Sequence, residues 1–252
     1  MRLYIVDAFT DTPFAGNAAG VVLLDEPADA AWMQSVAAEL KHPETAFVEV
    51  GEGPRPLRWF TPAVEVDLCG HATLATGHIL GGEQVFLTRS GELRTRADDG
   101  WVHMDFPADP SETAEDDVAA ALPGVTVEGV LRGKTDILVR ASTAAEVRAV
   151  KPDLGVIASW PARCVIVTAP GDKPGIDFVS RVFGPAVGVP EDPVTGSAHC
   201  TLSPYWSREL GRVELTGEQA SERGGVVRTH LRGERVGLAG QAVTVMSGEL
   251  VV

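Results

Sequence analysis

The apolar residues along the chain predict short strands separated by frequent Gly and Pro. Residues 28–41 differ, because apolar side chains such as Trp32 and Val36 recur about one turn apart before Pro43, which predicts an amphipathic helix. Runs rich in β-branched and aromatic residues predict strands. These runs are residues 2–9, 20–24, 45–50, 57–60 and 84–87, and later 137–140, 163–168, 178–183, 226–231 and 241–246. Each half of the chain therefore mixes strands with helices.

One pattern occurs twice. Residues 58–66 read RWFTPAVEV and residues 181–189 read RVFGPAVGV, and each run leads to a glycine, Gly70 or Gly196, that opens a short helical segment. The two copies are about half a chain length apart. The repeat predicts an internal duplication into two similar units. A small-molecule site is expected in the cleft between them.

Both glycines begin a predicted helix. The segment from Gly70 to Leu80 is largely apolar, which is typical of a buried helix, and in the second segment Pro204 is expected to kink or end the helix. The first-turn N–H groups of a helix have no partner inside it and carry its positive dipole end. We therefore expect both helix starts to bind a substrate carboxylate. The residues expected to contact it are Gly70, His71, Ala72, Gly196 and Ser197.

The length of the chain favours two domains. Its 252 residues exceed the usual size of one domain. Residues 107–117 are acidic and rich in Pro and Ser, which is typical of a linker. The predicted domains are residues 1–112 and residues 113–240, with a terminal strand over residues 241–252 that returns to the N-terminal domain.

Composition narrows the partners and the compartment. A net charge of -14 repels phosphate backbones and no Lys/Arg cluster offsets it, so nucleic acid is not an expected partner. No apolar run approaches the roughly 20 residues that cross a bilayer, which predicts a cytoplasmic protein without a membrane partner. The three cysteines form no disulfide framework, and the cysteine and histidine spacing matches no standard zinc pattern. No metal is predicted.

Several long segments carry a family resemblance. VDAFTDTPFAGN, HPETAFV, RWFTPAVEVDLCGHATLATGH, FGPAVGVPEDPVTGSAHC and QASERGG resemble, in order, the motifs of the phenazine biosynthesis PhzF-like proteins, relatives of diaminopimelate epimerase. The resemblance implies an α+β, diaminopimelate epimerase-like fold with two pseudo-symmetric domains, each a curved mixed sheet around a central helix. It implies a biosynthetic, cofactor-independent isomerase that forms a homodimer. The named member acts on a dihydro-hydroxyanthranilate. One departure is Ala18, where the family usually has Pro.

The resemblance assigns catalytic roles to four residues, Glu44, His71, Asp192 and Ser197. Glu44 follows Pro43 at the start of an apolar strand, where partial desolvation suits a group that alternates between base and acid. His71 lies in the first turn of its helix, where the dipole favours the neutral ring. Asp192 precedes a proline in a turn, and Ser197 offers a hydroxyl at the second helix start. Taken singly, each residue also has an ordinary structural interpretation.

A two-thiol epimerase is the competing mechanism. Cys69 precedes Gly70, but the counterpart before Gly196 is Thr195, whose hydroxyl cannot act as a proton-abstracting base near neutral pH. Cys200 is predicted to pack inside the second helix. We therefore expect an isomerase that moves a proton and a double bond on a small carboxylated metabolite, cyclic or amino-acid-like. A racemase or epimerase and a non-catalytic small-molecule binding protein are the alternatives.

Overall fold

The computed structural model describes residues 1–252. The chain divides into two compact units. The N-terminal unit comprises residues 1–105 and 239–252, and the C-terminal unit comprises residues 106–238. The boundaries predicted from the sequence are residues 112 and 240.

The strands and helices are short and follow one another closely. Along the first 107 residues they are β1 (Arg2–Ala8), β2 (Asn17–Leu24), α1 (Ala30–Leu40), β3 (Glu44–Glu49), β4 (Arg55–Phe60), β5 (Glu65–Val66), α2 (Gly70–Leu80), β6 (Gly82–Thr88), β7 (Gly91–Asp98) and β8 (Trp101–Pro107). The remaining elements are β9 (Glu112–Thr113), β10 (Val127–Arg132), β11 (Ile137–Ala141), α3 (Ala144–Ala149), α4 (Leu154–Ala158), β12 (Val165–Pro170), β13 (Phe178–Gly184), β14 (Val189–Asp192), α5 (Gly196–Leu210), β15 (Glu214–Gln219), β16 (Gly225–Arg232), β17 (Arg235–Gly240) and β18 (Ala242–Glu249). None of the five α-helices combines the length and apolar character that a membrane crossing needs.

In the N-terminal unit a mixed sheet surrounds helix α2. Strand β1 pairs antiparallel with β2 and β18, β2 runs parallel to β3, and β3 pairs antiparallel with β4. Strand β4 then pairs antiparallel with β5 and parallel with β6, which is antiparallel to β7. Helix α2 contacts β1, β2, β3, β6, β7 and β18, and its residues 71–77 are all buried. The predicted buried helix is confirmed.

The close approach of α2 to the sheet depends on a glycine. A Cβ atom on Gly77 would lie 2.7 Å from the Thr95 hydroxyl oxygen and 3.0 Å from a Val102 methyl group. Both are β-branched side chains of β7 and β8, which hold few rotamers and yield little space. Gly77 therefore lets the helix lie against those strands.

The C-terminal unit repeats this order of pairing. Strand β10 pairs antiparallel with β11, β11 runs parallel to β12, and β12 pairs antiparallel with β13. Strand β13 pairs antiparallel with β14 and parallel with β15, which is antiparallel to β16. Helix α5 occupies the place of α2, and its apolar side chains share one buried cluster with residues of β11, β12, β13 and β15. Two pseudo-symmetric units of the diaminopimelate epimerase-like type are thus confirmed.

The strand registers identify equivalent residues in the two units. Thr45 lies opposite Phe60 in the β3–β4 pair, and Val165 lies opposite Phe183 in the β12–β13 pair. Because Phe60 and Phe183 hold the same position in the repeated sequence, Thr45 corresponds to Val165. The preceding residues also correspond, so the Pro43–Glu44 dipeptide is equivalent to Arg163–Cys164.

Helix α5 does not end at Pro204, although an end there is one of the two outcomes expected from the sequence. It continues to Leu210 and is capped by Gly211 in the left-handed conformation. A proline cannot donate to the carbonyl four residues earlier, here that of Cys200. The Asp109 N–H donates to this carbonyl instead, at 3.0 Å. An outside donor thus satisfies the group that Pro204 leaves without its helical partner.

Candidate active site

In the N-terminal unit a carboxyl group and an imidazole meet at the start of α2. Glu44 is the first residue of β3, and His71 lies in the first turn of α2, which packs against β3. Glu44 Oε2 lies 3.4 Å from His71 Nε2, and the two side chains are 21% and 7% exposed. The two atoms are in contact without the alignment of a hydrogen bond, and Nε2 is buried. Both predicted residues therefore belong to one site.

His71 is neutral at physiological pH. Burial, and to a smaller extent the charge of nearby His42, lowers the pKa of His71 to about 3. The sequence points to a neutral ring through the helix dipole, whereas burial is the largest cause in the structure. A neutral imidazole carries a proton on one nitrogen and a lone pair on the other. The contact with Glu44 is therefore not a salt bridge.

Cys69 completes this cluster from the other edge of the ring. It is the N-cap residue of α2 and is buried, and its Sγ lies 3.5 Å from His71 Nδ1. The thiol thus faces one ring nitrogen while the Glu44 carboxyl faces the other. The sequence analysis does not predict this role for Cys69.

Glu44, Cys69 and His71 are also three potential metal ligands, because their ligand atoms all lie within 4.8 Å of one another. An imidazole binds an ion through one nitrogen, while the other nitrogen usually donates to a neighbouring group. Here the thiol lies beside Nδ1 and the carboxyl beside Nε2. The ring nitrogen that would bind an ion therefore has only one of the other two potential ligands directly beside it.

In the C-terminal unit a buried glutamine fixes the turn that leads into α5. Gln219 Nε2 donates to the Asp192 carbonyl at 2.7 Å and to Thr195 Oγ1 at 3.2 Å, while its Oε1 accepts from the Thr195 N–H at 2.8 Å. The Thr195 hydroxyl donates to Asp192 Oδ2 at 2.6 Å. Asp192 is therefore held at a fixed distance from the helix start. Gln219 begins the family-like segment QASERGG, but no role is predicted for it from the sequence.

The N-termini of α2 and α5 differ from those of the other helices. The N-cap side chains of α1, α3 and α4 each accept a hydrogen bond from the first turn. Those of α2 and α5, Cys69 and Thr195, accept none, and the Thr195 hydroxyl is directed to Asp192 instead. The first-turn N–H groups of these two helices are thus not satisfied by their N-cap side chains. Gly70, His71 and Ala72 occupy the first turn of α2, and Gly196 and Ser197 that of α5.

Ser197 contacts an arginine that the sequence analysis does not select. Arg163 Nη2 donates to Ser197 Oγ at 3.1 Å. The same guanidinium donates through Nε to Asp136 Oδ1 at 3.0 Å and through Nη2 to Asp136 Oδ2. Asp136 is 2% exposed, whereas Ser197 is exposed. The repeated sequence does not lead to this position, because only the strand registers align Arg163–Cys164 with Pro43–Glu44.

The remaining histidines and cysteines of the two central helices have local partners or are buried. His78 contacts the Thr244 hydroxyl, and Nδ1 of the fully buried His199 lies 2.9 Å from the Thr195 carbonyl oxygen. Cys200 is buried within α5, in agreement with its predicted packing role.

Comparison with known proteins gives the family. The profile of the phenazine biosynthesis-like protein family matches residues 6–248. The chain belongs to this family. It is 49% identical to an uncharacterised isomerase of Pseudomonas aeruginosa, over 99% of this chain and 98% of that protein. A crystal structure of a PhzF-family protein from Enterococcus faecalis is 36% identical, with a TM-score of 0.95 over 100% of this chain and 99% of that one.

A more distant likeness extends the fold to epimerases. A hydroxyproline epimerase from Agrobacterium vitis has a TM-score of 0.59 and 11% identity, and covers 98% of this chain and 91% of its own. At this identity the likeness shows the fold alone. The family and the relatives named as isomerases support an isomerase type of function for this chain.

Proposed function

We propose that the protein is a cofactor-independent isomerase that moves a proton, and with it a double bond, on a small carboxylated metabolite. The substrate is cyclic or amino-acid-like. Glu44 is the acid/base group. The contact of its carboxyl with neutral His71 carries the proposal, because a partly buried carboxyl beside a neutral imidazole can accept a proton and return it.

The step needs no further reactant. The Glu44 carboxylate takes a proton from a substrate C–H bond, and the electron pair of that bond forms a new C=C bond. The electron pair of the original double bond forms a new C–H bond at the far carbon with the proton that Glu44 returns, so the product has one double bond, one position along. Atoms and electrons balance within the substrate, and Glu44 ends in its starting state. His71 hydrogen-bonds the substrate and stabilises the charge that develops.

The carboxylate of the substrate gives the second half of the proposal. First-turn N–H groups that are not satisfied by an N-cap side chain favour an anion at Gly70–Ala72 and at Gly196–Ser197. They also explain how a chain with a net charge of -14 holds a carboxylate. We assign Asp192 and Ser197 to the same reaction on the family resemblance, as groups that hydrogen-bond the substrate. A cytoplasmic homodimer is part of the proposal on the same ground.

Solvent isotope exchange tests the activity. The protein is incubated in D2O with cyclic and amino-acid-like carboxylates, including a dihydro-hydroxyanthranilate, and the products are analysed by mass spectrometry. We expect deuterium to enter a C–H position of a substrate that is isomerised. Glu44→Gln should keep ligand binding and lose turnover by about 100-fold or more, since general acid–base catalysis contributes roughly that much.

The same strand supplies a matched control. Glu49 ends β3 as Glu44 begins it, and both are of intermediate exposure. Glu49→Gln should exchange deuterium at the wild-type rate. Native-rate exchange by Glu44→Gln would show that another group carries the proton. Ligand binding without exchange in the wild type would favour a small-molecule binding protein instead.

A further inference from the structure

Arg163 immediately precedes Cys164, the residue that the duplication makes equivalent to Glu44. In the N-terminal unit Glu44, at the start of the third strand, contacts His71 in the first turn of the central helix. In the C-terminal unit the equivalent dipeptide is Arg163–Cys164, and Ser197 is the equivalent of His71. The contact recurs there with different chemistry, because Arg163 Nη2 donates to Ser197 Oγ at 3.1 Å. Each unit thus places a charged side chain against the second residue of its central helix.

The contact with Arg163 fixes the direction in which the Ser197 hydroxyl can donate. A hydroxyl has one hydrogen to donate and two lone pairs that accept. A guanidinium can only donate, so Arg163 uses a lone pair of Ser197 Oγ. The hydroxyl hydrogen must then point away from Arg163. Ser197 is exposed, so this hydrogen is available to a bound molecule.

Asp136 holds the guanidinium in position. Its carboxylate is 2% exposed and receives both Nε and Nη2 of Arg163. A two-pronged pair of this kind fixes the plane of the guanidinium as well as its distance. It also balances the charge of Arg163, and Asp192 lies close enough to interact with that charge. Arg163 therefore acts through its direction of donation more than through a free positive charge.

We propose that Arg163 is a positioning residue, which orients the Ser197 hydroxyl so that it donates to a carboxylate oxygen of the ligand. The Asp136–Arg163–Ser197 chain favours a ligand that accepts a hydrogen bond from Ser197, because Arg163 already uses one of the two lone pairs of this hydroxyl. This inference rests on the proposed function, since it names how the same site reads the carboxylate of its substrate.

Calorimetric titration with two matched probes tests the proposal. Anthranilate presents a carboxylate, and anthranilamide replaces one acceptor oxygen with a donor. Arg163→Lys keeps a positive charge beside Asp136 but loses the planar fork that reaches both partners. We expect this variant to bind anthranilate about tenfold more weakly, the scale of one hydrogen bond to a charged group. The preference for anthranilate over anthranilamide should shrink by a similar factor.

A double-mutant cycle separates positioning from general structural damage. If Arg163 acts through Ser197, Arg163→Lys has no further effect once Ser197→Ala has removed the hydroxyl. Arg132→Lys is the matched control: Arg132 makes a two-pronged pair with Asp116, and its side chain has the same 36% exposure as Arg163. The control should leave both affinities unchanged.

A second variant tests the proposal if substitution of Arg163 alone prevents folding. Removing Arg163 alone leaves the buried Asp136 carboxylate without its partner, whereas Asp136→Asn combined with Arg163→Gln removes both charges. This double variant should show the same tenfold loss. Unchanged anthranilate affinity, or a loss that simply adds to that of Ser197→Ala, would overturn the positioning role alone. If the wild type binds no carboxylate at all, in this titration or in the exchange experiment, the proposed function fails with it.

Discussion

Two buried histidines should make the fold sensitive to mild acid. Burial lowers the pKa of His71 to about 3 and that of His199 to about 4, although the Thr195 carbonyl partly opposes the shift of His199. In the unfolded chain both rings have a pKa of about 6.5. At a pH between the folded-state and unfolded-state pKa values, the two rings are protonated in the unfolded chain and neutral in the folded protein. The stability that depends on neutral rings is therefore present above about pH 6.5 and decreases as the pH falls.

The loss in the free energy of unfolding depends on how far the pH lies below the unfolded-state pKa of the rings. Each proton bound only by the unfolded chain costs about 1.4 kcal/mol per pH unit. From about pH 6.5 to pH 5 each ring thus removes roughly 2 kcal/mol from the free energy of unfolding, and the two together roughly 4 kcal/mol. Half-buried His78, whose pKa burial also lowers, acts in the same direction. Carboxylates whose pKa is lowered by arginine partners, such as Glu218, also contribute to the free energy of unfolding, but they lose this contribution only at more acidic pH.

Denaturant titrations at pH 7 and pH 5, followed by circular dichroism, measure this loss. His199→Gln should halve it, because the variant has one buried ring fewer to protonate. His230→Gln is the control, since that ring is 47% exposed, and should leave the pH dependence unchanged. If the two units unfold in separate transitions, each should carry about half of the loss. A wild-type change below about 1 kcal/mol, or an unaltered pH dependence in His199→Gln, would refute the reasoning.

Two further substitutions test local packing and the state of the candidate site. Gly217→Ala should lower the free energy of unfolding by about 1–3 kcal/mol, because its Cβ would lie 2.3 Å from the buried Phe178 ring. Gly129→Ala is the control and should cost less, because the nearest atom to its Cβ is 3.9 Å away. Chemical denaturation measures both. Cys69→Ala removes the thiol beside His71 Nδ1 and should shift the ring 15N resonances of His71, while an unchanged spectrum would show that the thiol does not influence the tautomer.

Local patterns predict the two central helices better than the sheet around them. Helix α2 begins at Gly70 as predicted, because a glycine followed by an apolar run marks both the start of a helix and its burial. Strands β7 and β8 are not predicted. In β7, charged side chains occupy half of the positions and only Thr95 is buried, so little apolar alternation is left to detect. Helix α5 continues past Pro204 because the N–H of Asp109, which is remote in sequence, donates to the Cys200 carbonyl.

In the candidate site, too, local sequence motifs are predicted and contacts between residues distant in sequence are not. Glu44, His71, Asp192 and Ser197 are found through motifs that occupy short stretches of chain. The contact between Arg163 and Ser197 joins residues 34 positions apart, and that between Gln219 and Thr195 joins residues 24 positions apart. No periodicity specifies such pairs, because they arise only when strands and helices pack.

The two units share one scaffold but not the same chemistry, and this bears on the reaction. A racemase that works with two opposed bases needs one base from each unit. The C-terminal equivalent of Glu44 is Cys164, and burial, the largest cause, raises the pKa of that thiol to about 12. Cys164 therefore stays protonated, and Thr195 donates its hydroxyl to Asp192 instead of serving as a base. In our proposal the C-terminal unit binds the substrate carboxylate through Ser197, and the absence of a second base there favours isomerisation by a single base, Glu44, over epimerisation by a thiol pair.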